Sequence, residues 1–291
     1  MEVEKGETIL DDKSLTQTEE LHSQYRFEAK TVQASPFRVL SEALKDILTD
    51  GNLEIDETGM KLISMDNTHT VLVHLRLEAA NFEHFHCHER MVLGLNMMNY
   101  HKLIKTMSNS DNLTLFMEKD DPNHMGIKIE NGEKNTITVY KLNLMDLCEE
   151  SISIPPATFA SVITMPSGDF QKICRDMHNL AELIEIKSVG SQLIFNCHGD
   201  FASQETVIGE SSGNGMSFVK RQEKEEIVQG VFALKHLCLF TKCTNLCNTI
   251  EMYLKNDYPL IICYSVANLG QIKLCLAPQC QNEGNSGNTI I

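Results

Sequence analysis

The sequence predicts an α+β protein made of two topologically similar domains, with antiparallel sheets far outnumbering four short helices. Three observations carry this. Strand-length runs that are apolar or alternate apolar with polar dominate the chain: Leu53–Ile55, Val71–Leu77, Leu113–Met117, Ile137–Leu142, Leu193–Asn196, Ile250–Leu254 and Leu260–Tyr264, each bounded by turn residues. Only four segments carry the helical period. The helices also recur at a near-constant interval, which is the mark of a duplicated unit.

The first helix opens at Ser35-Pro36, read as an N-cap followed by a proline at the first helical position, and continues through Leu40, Ala43, Leu44 and Ile47. The second runs from Asn96 to Met107. The third starts at Ser167 and places Phe170, Ile173, Cys174 and Met177 on one face. The fourth covers Ala233–Cys243 with Leu234, Leu237 and Phe240 inward. The first and third helices start 132 residues apart and the second and fourth about 136 apart, with strands filling equivalent gaps. Between the halves, Ile154-Pro155-Pro156 forbids a continued helix or a central strand. The expected organisation is a disordered acidic arm over 1–25, a domain over 26–143, a connecting loop over 144–156, a second domain over 157–279 and a flexible tail over 280–291 rich in Asn and Gly.

Composition narrows the function. Apolar residues make up 42% of the chain and charged residues 22%, enough to bury a core. No run approaches the roughly 18 apolar residues of a membrane helix, and Met1-Glu2-Val3-Glu4-Lys5 lacks the regions of a signal peptide, so no membrane role and a cytoplasmic or nuclear address are expected. Ten cysteines at irregular spacing, with no C-x-x-C pair, are read as reduced and mostly buried.

The charge distribution is the most telling feature. Lys plus Arg number 25 against 40 Asp plus Glu, a net charge of −15 that repels nucleic acid overall. The helical segments 35–48, 97–107, 167–179 and 233–243 nevertheless hold eight bases (Arg38, Lys45, Lys102, Lys105, Lys172, Arg175, Lys235, Lys242) and only four acids (Glu42, Asp46, Asp169, Asp176), a net +4 that leaves −19 on the remainder. Within each helix the bases are three or seven apart, spacings that return to nearly one face. Four basic stripes on a common surface would touch phosphates of duplex DNA without reading bases, since no helix concentrates the Asn, Gln and Arg of groove recognition. Such contacts alone are weak and salt-sensitive, whereas a closed ring holds DNA by topology.

Other constellations point elsewhere. His84-Phe85-His86-Cys87-His88-Glu89 alternates imidazoles as a strand does, but a strand surface seldom converges its ligands on one ion, and a solvated His-rich strand is expected. Cys174 and His178 have a chelating spacing on a helix. Glu149-Glu150 reads as a solvated linker patch and Asp120-Asp121-Pro122 as a turn. No phosphate-binding loop, nucleophile elbow or H-E-x-x-H helix is present. No metal, cofactor or catalytic activity is expected; a metal-dependent nuclease is the enzyme alternative.

Several blocks closely resemble proliferating cell nuclear antigen, the DNA sliding clamp family: Phe27-Glu28-Ala29, Ser41-Glu42-Ala43-Leu44-Lys45-Asp46, Ser64-Met65-Asp66 with His69, Leu144-Met145-Asp146-Leu147, Met165-Pro166-Ser167-Gly168-Asp169-Phe170, Ile173-Cys174-Arg175-Asp176, Phe240-Thr241-Lys242 and Leu276-Ala277-Pro278. The match is collinear from about Phe27 to Gln279, as for a divergent eukaryotic or viral member. The resemblance implies a head-to-tail homotrimer with helices around the hole and sheets outside, working in the nucleus or at a viral replication site. It implies sequence-independent binding of double-stranded DNA by the eight helical bases named above. It also implies a clamp loader, and polymerase, ligase and nuclease partners that bring short Q-x-x-hydrophobic-x-x-aromatic-aromatic peptides. The groove for them would be formed by Met65, His69, Leu72, Ile152, Ile154, Pro155, Phe159, Pro259, Leu276 and Ala277. Subunits are expected to join by pairing Thr136–Leu142, through Thr136, Val139 and Leu142, with Phe201–Ile208 of the next chain, through Phe201, Val207 and Ile208. Cys275 stands where the family commonly has tyrosine, and Gly190 where many eukaryotic clamps carry a modifiable lysine. A subunit of a heterotrimeric checkpoint clamp is the alternative within this fold.

Overall fold

The same order of elements occurs twice along the chain, in a computed structural model that describes residues 24–148, 152, 154–211, 213–223 and 226–279. The first half comprises β1 (Tyr25–Thr31), α1 (Ala34–Ile47), β2 (Asp50–Asp56), β3 (Gly59–Met65), β4 (Val71–Glu78), β5 (His84–Cys87), β6 (Met91–Asn96), α2 (Met97–Ile104), β7 (Asn112–Glu118), β8 (His124–Asn131) and β9 (Thr136–Asn143). The second repeats it as β10 (Ser161–Pro166), α3 (Ser167–His178), β11 (Leu183–Val189), β12 (Gln192–His198), β13 (Ser203–Gly209), β14 (Ser217–Lys220), β15 (Ile227–Ala233), α4 (Leu234–Phe240), β16 (Thr249–Leu254), β17 (Leu260–Val266) and β18 (Gly270–Leu276). The expected arm and tail, like Glu149-Glu150, fall almost wholly outside the described residues.

Strand alternation explains the sheets. β2 buries every second residue, Gly51, Leu53 and Ile55, and β12 does the same with Leu193, Phe195 and Cys197. Each half therefore folds two antiparallel sheets whose apolar faces meet the helices. The orders are β5-β1-β7-β8-β9 with β4-β3-β2-β6 in the first half, and β14-β10-β16-β17-β18 with β13-β12-β11-β15 in the second. β4 and β18 pair in register from Leu77↔Gly270 to Val71↔Leu276, so the domains share one nine-stranded sheet. Val71, Val73, Leu75, Leu77, Ile272, Leu274 and Leu276 are all buried beneath this joint. Full burial of such side chains is worth roughly 1.5–3 kcal/mol each.

The repeat extends to side chains. Ala34, Phe37, Leu40, Ser41 and Leu44, buried on α1, answer to Ser167, Phe170, Ile173, Cys174 and Met177 on α3. The Ser41 hydroxyl lies 3.1 Å from His101 Nδ1 between α1 and α2, and in the same place of the second half the Cys238 thiol donates to the Cys174 carbonyl at 3.7 Å. The chain also leaves the two halves alike. Met145 N donates to Gly94 O at 2.9 Å along the edge of β6, and Gln279 N donates to Val231 O at 2.8 Å along β15.

Some local expectations change. Gln33, not Ser35, occupies the N-cap position of α1, without a side-chain capping bond, and the helix begins at Ala34. Pro36 is tolerated in the first turn because the first four helical N–H groups have no partner within the helix. α2 stops at Ile104 instead of Met107: Thr106 N and Met107 N close tighter bonds to Leu103 O and Ile104 O at 3.2 and 3.1 Å. α4 stops at Phe240 and continues as a 3-10 helix over Thr241–Leu246. Of the nine described cysteines, all free thiols, only Cys174, Cys197, Cys243 and Cys263 are buried. Cys275 shows why: it alternates with buried Leu274 and Leu276 and so faces outward. The His-rich strand β5 is half-buried at the edge beside β1, with His84 Nε2 3.6 Å from Glu28 Oε2 and the His86 and His88 rings 4.2 Å apart. Among the described residues no group of three or more His, Cys, Asp or Glu is arranged to hold a metal ion.

Candidate functional site

The helices form one layer: α1 packs against α2 and, across the domain boundary, against α4 and the 3-10 helix that follows it, while α3 packs against α4. Their apolar stripes face the sheets, which leaves the opposite face polar. Lys102, Lys105, Lys172, Arg175, Lys235 and Lys242 are exposed there; Arg38 and Lys45 are half-buried. Arg38 Nη1 donates to Asn109 Oδ1 at 3.1 Å, and Arg175 Nε lies 3.6 Å from Asp176 Oδ1. Lys45 and Lys242 share a carboxylate: Lys45 Nζ is 2.7 Å from Asp46 Oδ1, and Lys242 Nζ bonds Asp46 Oδ2 from the other domain. Burial pushes the Asp46 carboxyl up, but hydrogen bonds from Lys242 and Lys45, with their charges, outweigh it and hold the group below the ordinary carboxylate range.

A second surface lies on the outer face of the nine-stranded sheet. Cross-strand register aligns Met65, Leu72, Cys275, Ile261, Tyr253 and Val162 in one row across β3, β4, β18, β17, β16 and β10, all partly exposed. Apolar side chains lined up on an exposed sheet face mark a contact surface. At one end the Phe159 ring sits edge-on to Tyr253 (5.3 Å between centroids) and Tyr258 (5.6 Å), beside half-buried Pro259. Ile152 is half-buried, Ile154 is 40% exposed, and Pro155 is exposed. Ala277 N donates to Thr70 O at 3.0 Å, which fixes the chain beyond β18 beside the β3–β4 turn.

That turn is organised by Asp66, whose carboxylate accepts from Thr70 N at 2.8 Å, Val71 N at 2.7 Å and the Thr68 hydroxyl, and so sets His69 in the left-handed region at φ 54°. Burial raises the Asp66 carboxyl, but the Thr68 hydroxyl and the N–H groups of Val71, Thr70 and Thr68 hold it lower than usual. Leu276 corrects the expected groove: it is 0% exposed and belongs to the core, with Cys275 outward in its place. Sequence reasoning missed Tyr253, Tyr258, Ile261 and Asp66. The first could have been found from parity, since it sits between buried Met252 and Leu254.

The third surface is a pair of sheet edges. β9 and β13 each end a sheet, and β9 is exposed at Thr136, Ile137 and Val139, with Leu142 turned into the core. Along β13, Val207 is exposed and Ile208 half-buried, and Phe201 just before it is also exposed. Gly190 occupies the β11–β12 turn at φ 57°, a conformation that favours glycine.

A duplicated α+β chain with a basic helix layer behind a continuous sheet has the architecture of a clamp subunit. The family model for the N-terminal domain of proliferating cell nuclear antigen matches residues 26–151, and that for the C-terminal domain matches 153–279. A relative described as "Probable DNA polymerase sliding clamp 1", from Paramecium bursaria Chlorella virus 1, is 33% identical over 256 residues, which cover 87% of this chain and 96% of the relative. The chain belongs to the proliferating cell nuclear antigen family, the DNA sliding clamps, a family without catalytic activity. Neither the nuclease nor the checkpoint-clamp alternative is favoured by these matches.

Proposed function

We propose that three copies of this sliding clamp close head to tail into a ring around double-stranded DNA and tether replication enzymes to it without acting on the DNA themselves. One observation carries the reading: the chain already contains one copy of the joint that such a ring needs. β18 closes on β4 inside the chain, and their counterparts in the repeat, β9 and β13, are sheet edges. Extended edges recruit strands through main-chain hydrogen bonds, and a head-to-tail contact closes when its rotation fits.

Carrying the β4·β18 register through the equivalent pairings of the two halves gives the register of the joint between chains. On the core face Leu142 stands opposite Ala202, Tyr140 opposite Gln204, Thr138 opposite Thr206 and Thr136 opposite Ile208. On the outer face Val139 stands opposite Glu205 and Ile137 opposite Val207. Asn143 N donates to Phe201 O as Ala277 N does to Thr70 O within the chain.

In this ring the exposed bases of the helix layer line the hole and meet phosphates irrespective of sequence. The outer apolar row, with Ile152, Ile154, Pro155, Phe159, Pro259, His69 and Ala277 around it, takes one helical turn of a partner peptide of the form Gln-x-x-Leu-x-x-Phe-Phe. Polymerase, clamp loader, ligase and nuclease are the partners that bring such peptides, in a nucleus or at a viral replication site. Two measurements test the reading. The native particle should have the mass of three chains, and once loaded on a nicked circle it should survive a salt rise yet fall off when the circle is linearised. A single-chain mass, or equal retention on closed and linear DNA, defeats it.

A further inference from the structure

The internal repeat makes the inner surface of the ring uneven. Inside each chain, the end of α1 meets the 3-10 helix after α4, and the charged residues there are Glu42, Lys45, Asp46 and Lys242. The same repeat sets the end of α3 of one chain against the end of α2 of the next. Residue by residue, Glu42 is answered by Arg175, Ala43 by Asp176, Lys45 by His178, Asp46 by Asn179, Leu239 by Lys102 and Lys242 by Lys105. The domain joint thus sums to zero. With histidine counted as neutral, the subunit joint carries two positive charges, its one acid, Asp176, lying beside Arg175.

The carboxylate is the decisive difference. Asp46 engages the ammonium groups of both Lys45 and Lys242 and draws Lys45 down to 18% side-chain exposure. A phosphate reaching this joint has to displace a carboxylate from two cations. At the subunit joint the equivalent position is Asn179, which brings no carboxylate to the cations; in the single chain, before a neighbour packs on them, Lys102, Lys105, Arg175, His178 and Asn179 are exposed. We propose that each subunit joint of the ring is a composite site for a DNA backbone phosphate, made of Lys102 and Lys105 from one protomer and Arg175, His178 and Asn179 from its neighbour, while the domain joints stay closed by Asp46. Of the six joints around the hole, the three between subunits then take a phosphate more readily than the three between domains. The inference rests on the ring proposed above, because neither half of the site is complete in one chain.

The test exchanges the two joints. Asn179→Asp installs the carboxylate beside Lys105, and Asp46→Asn removes it beside Lys242. Binding of a short fluorescent duplex at low salt should weaken about 3- to 10-fold in Asn179→Asp and strengthen by a similar factor in Asp46→Asn. The slope of log affinity against log salt should become about one unit shallower for each phosphate that is no longer neutralised. Lys105→Ala should cost more affinity than Lys242→Ala. Native mass and thermal midpoint are measured on every variant. Trimeric variants that shift in the same direction, or do not shift, overturn the composite site and leave the ring standing; a wild-type chain that is monomeric at every concentration overturns both.

Discussion

Replacing Ile137 with Glu puts a carboxylate where the proposed joint needs an apolar side chain against Val207. In the single chain Ile137 is 64% exposed and Val207 47% exposed; their counterparts in the internal joint, Gln271 and Arg76, stay exposed after pairing, so the neighbour buries only part of this remainder. With roughly 1.5–3 kcal/mol for complete burial of a Val or Ile, the pair contributes about 1 kcal/mol to each joint. Ile137→Glu forfeits that and leaves a carboxylate facing Val207, so each joint should weaken by about 1–2 kcal/mol, or about 5- to 30-fold in its dissociation constant. Sedimentation equilibrium over a dilution series reads this as a shift from trimer to monomer, with the thermal midpoint of the monomer unchanged. Adding Val207→Lys places opposite charges directly across the strands and should restore about 0.2–1 kcal/mol per joint. Val139→Lys, facing Glu205, should tighten the wild-type joint by the same amount. A register displaced by two residues sets Val139 against Val207 or Ser203, where lysine brings no gain. Unaltered trimerisation in Ile137→Glu would refute the joint, and a weakening by Val139→Lys would refute its register.

Three further outcomes are expected. Ile154→Ala should weaken calorimetric binding of a Gln-x-x-Leu-x-x-Phe-Phe peptide by about 1–3 kcal/mol, as for a buried anchor, and no heat with the wild type would remove the groove. The Asp66 carboxyl is held below its ordinary value of 3.8, so its contribution is complete above that value and is lost as pH falls through the lowered folded value. Asp66→Asn should therefore flatten the acid limb of thermal stability below about pH 4; an acid limb identical to the wild type's would show that the β3–β4 turn does not depend on this charge. Gly94→Ala drives a Cβ into the Met145 carbonyl oxygen, which the chain can relieve only by lifting the connector from β6. It should destabilise the fold by about 1–3 kcal/mol and expose residues near Met145 to proteolysis, and wild-type protection there would contradict the close approach.

The features legible in the sequence are those carried by local period. The 3.6-residue spacing of Phe37, Leu40, Leu44 and Ile47, and of Phe170, Ile173, Cys174 and Met177, marks helices because each buries one stripe. The alternation in Val71–Leu77 and Ile250–Leu254 marks strands, and the recurrence of both marks the duplication. Segregation of bases onto the helices is equally visible, since charge is a property of the residues themselves. Partnership across the chain is not. Leu276 and Cys275 are adjacent and both apolar, and the packing of β18 decides that one is core and the other lies on the outer face of the sheet. Asp46 reads as one of two acids that balance the two bases of α1 until the packing of the two domains brings Lys242, distant in the chain, onto its carboxylate. Tyr253 joins Met65 and Leu72 in one row only through the registers of four intervening strand pairs. Local pattern determines which face of an element is apolar because burial acts on each residue separately; which faces meet is decided by long-range strand register, where a shift of one residue turns every side chain to the opposite side.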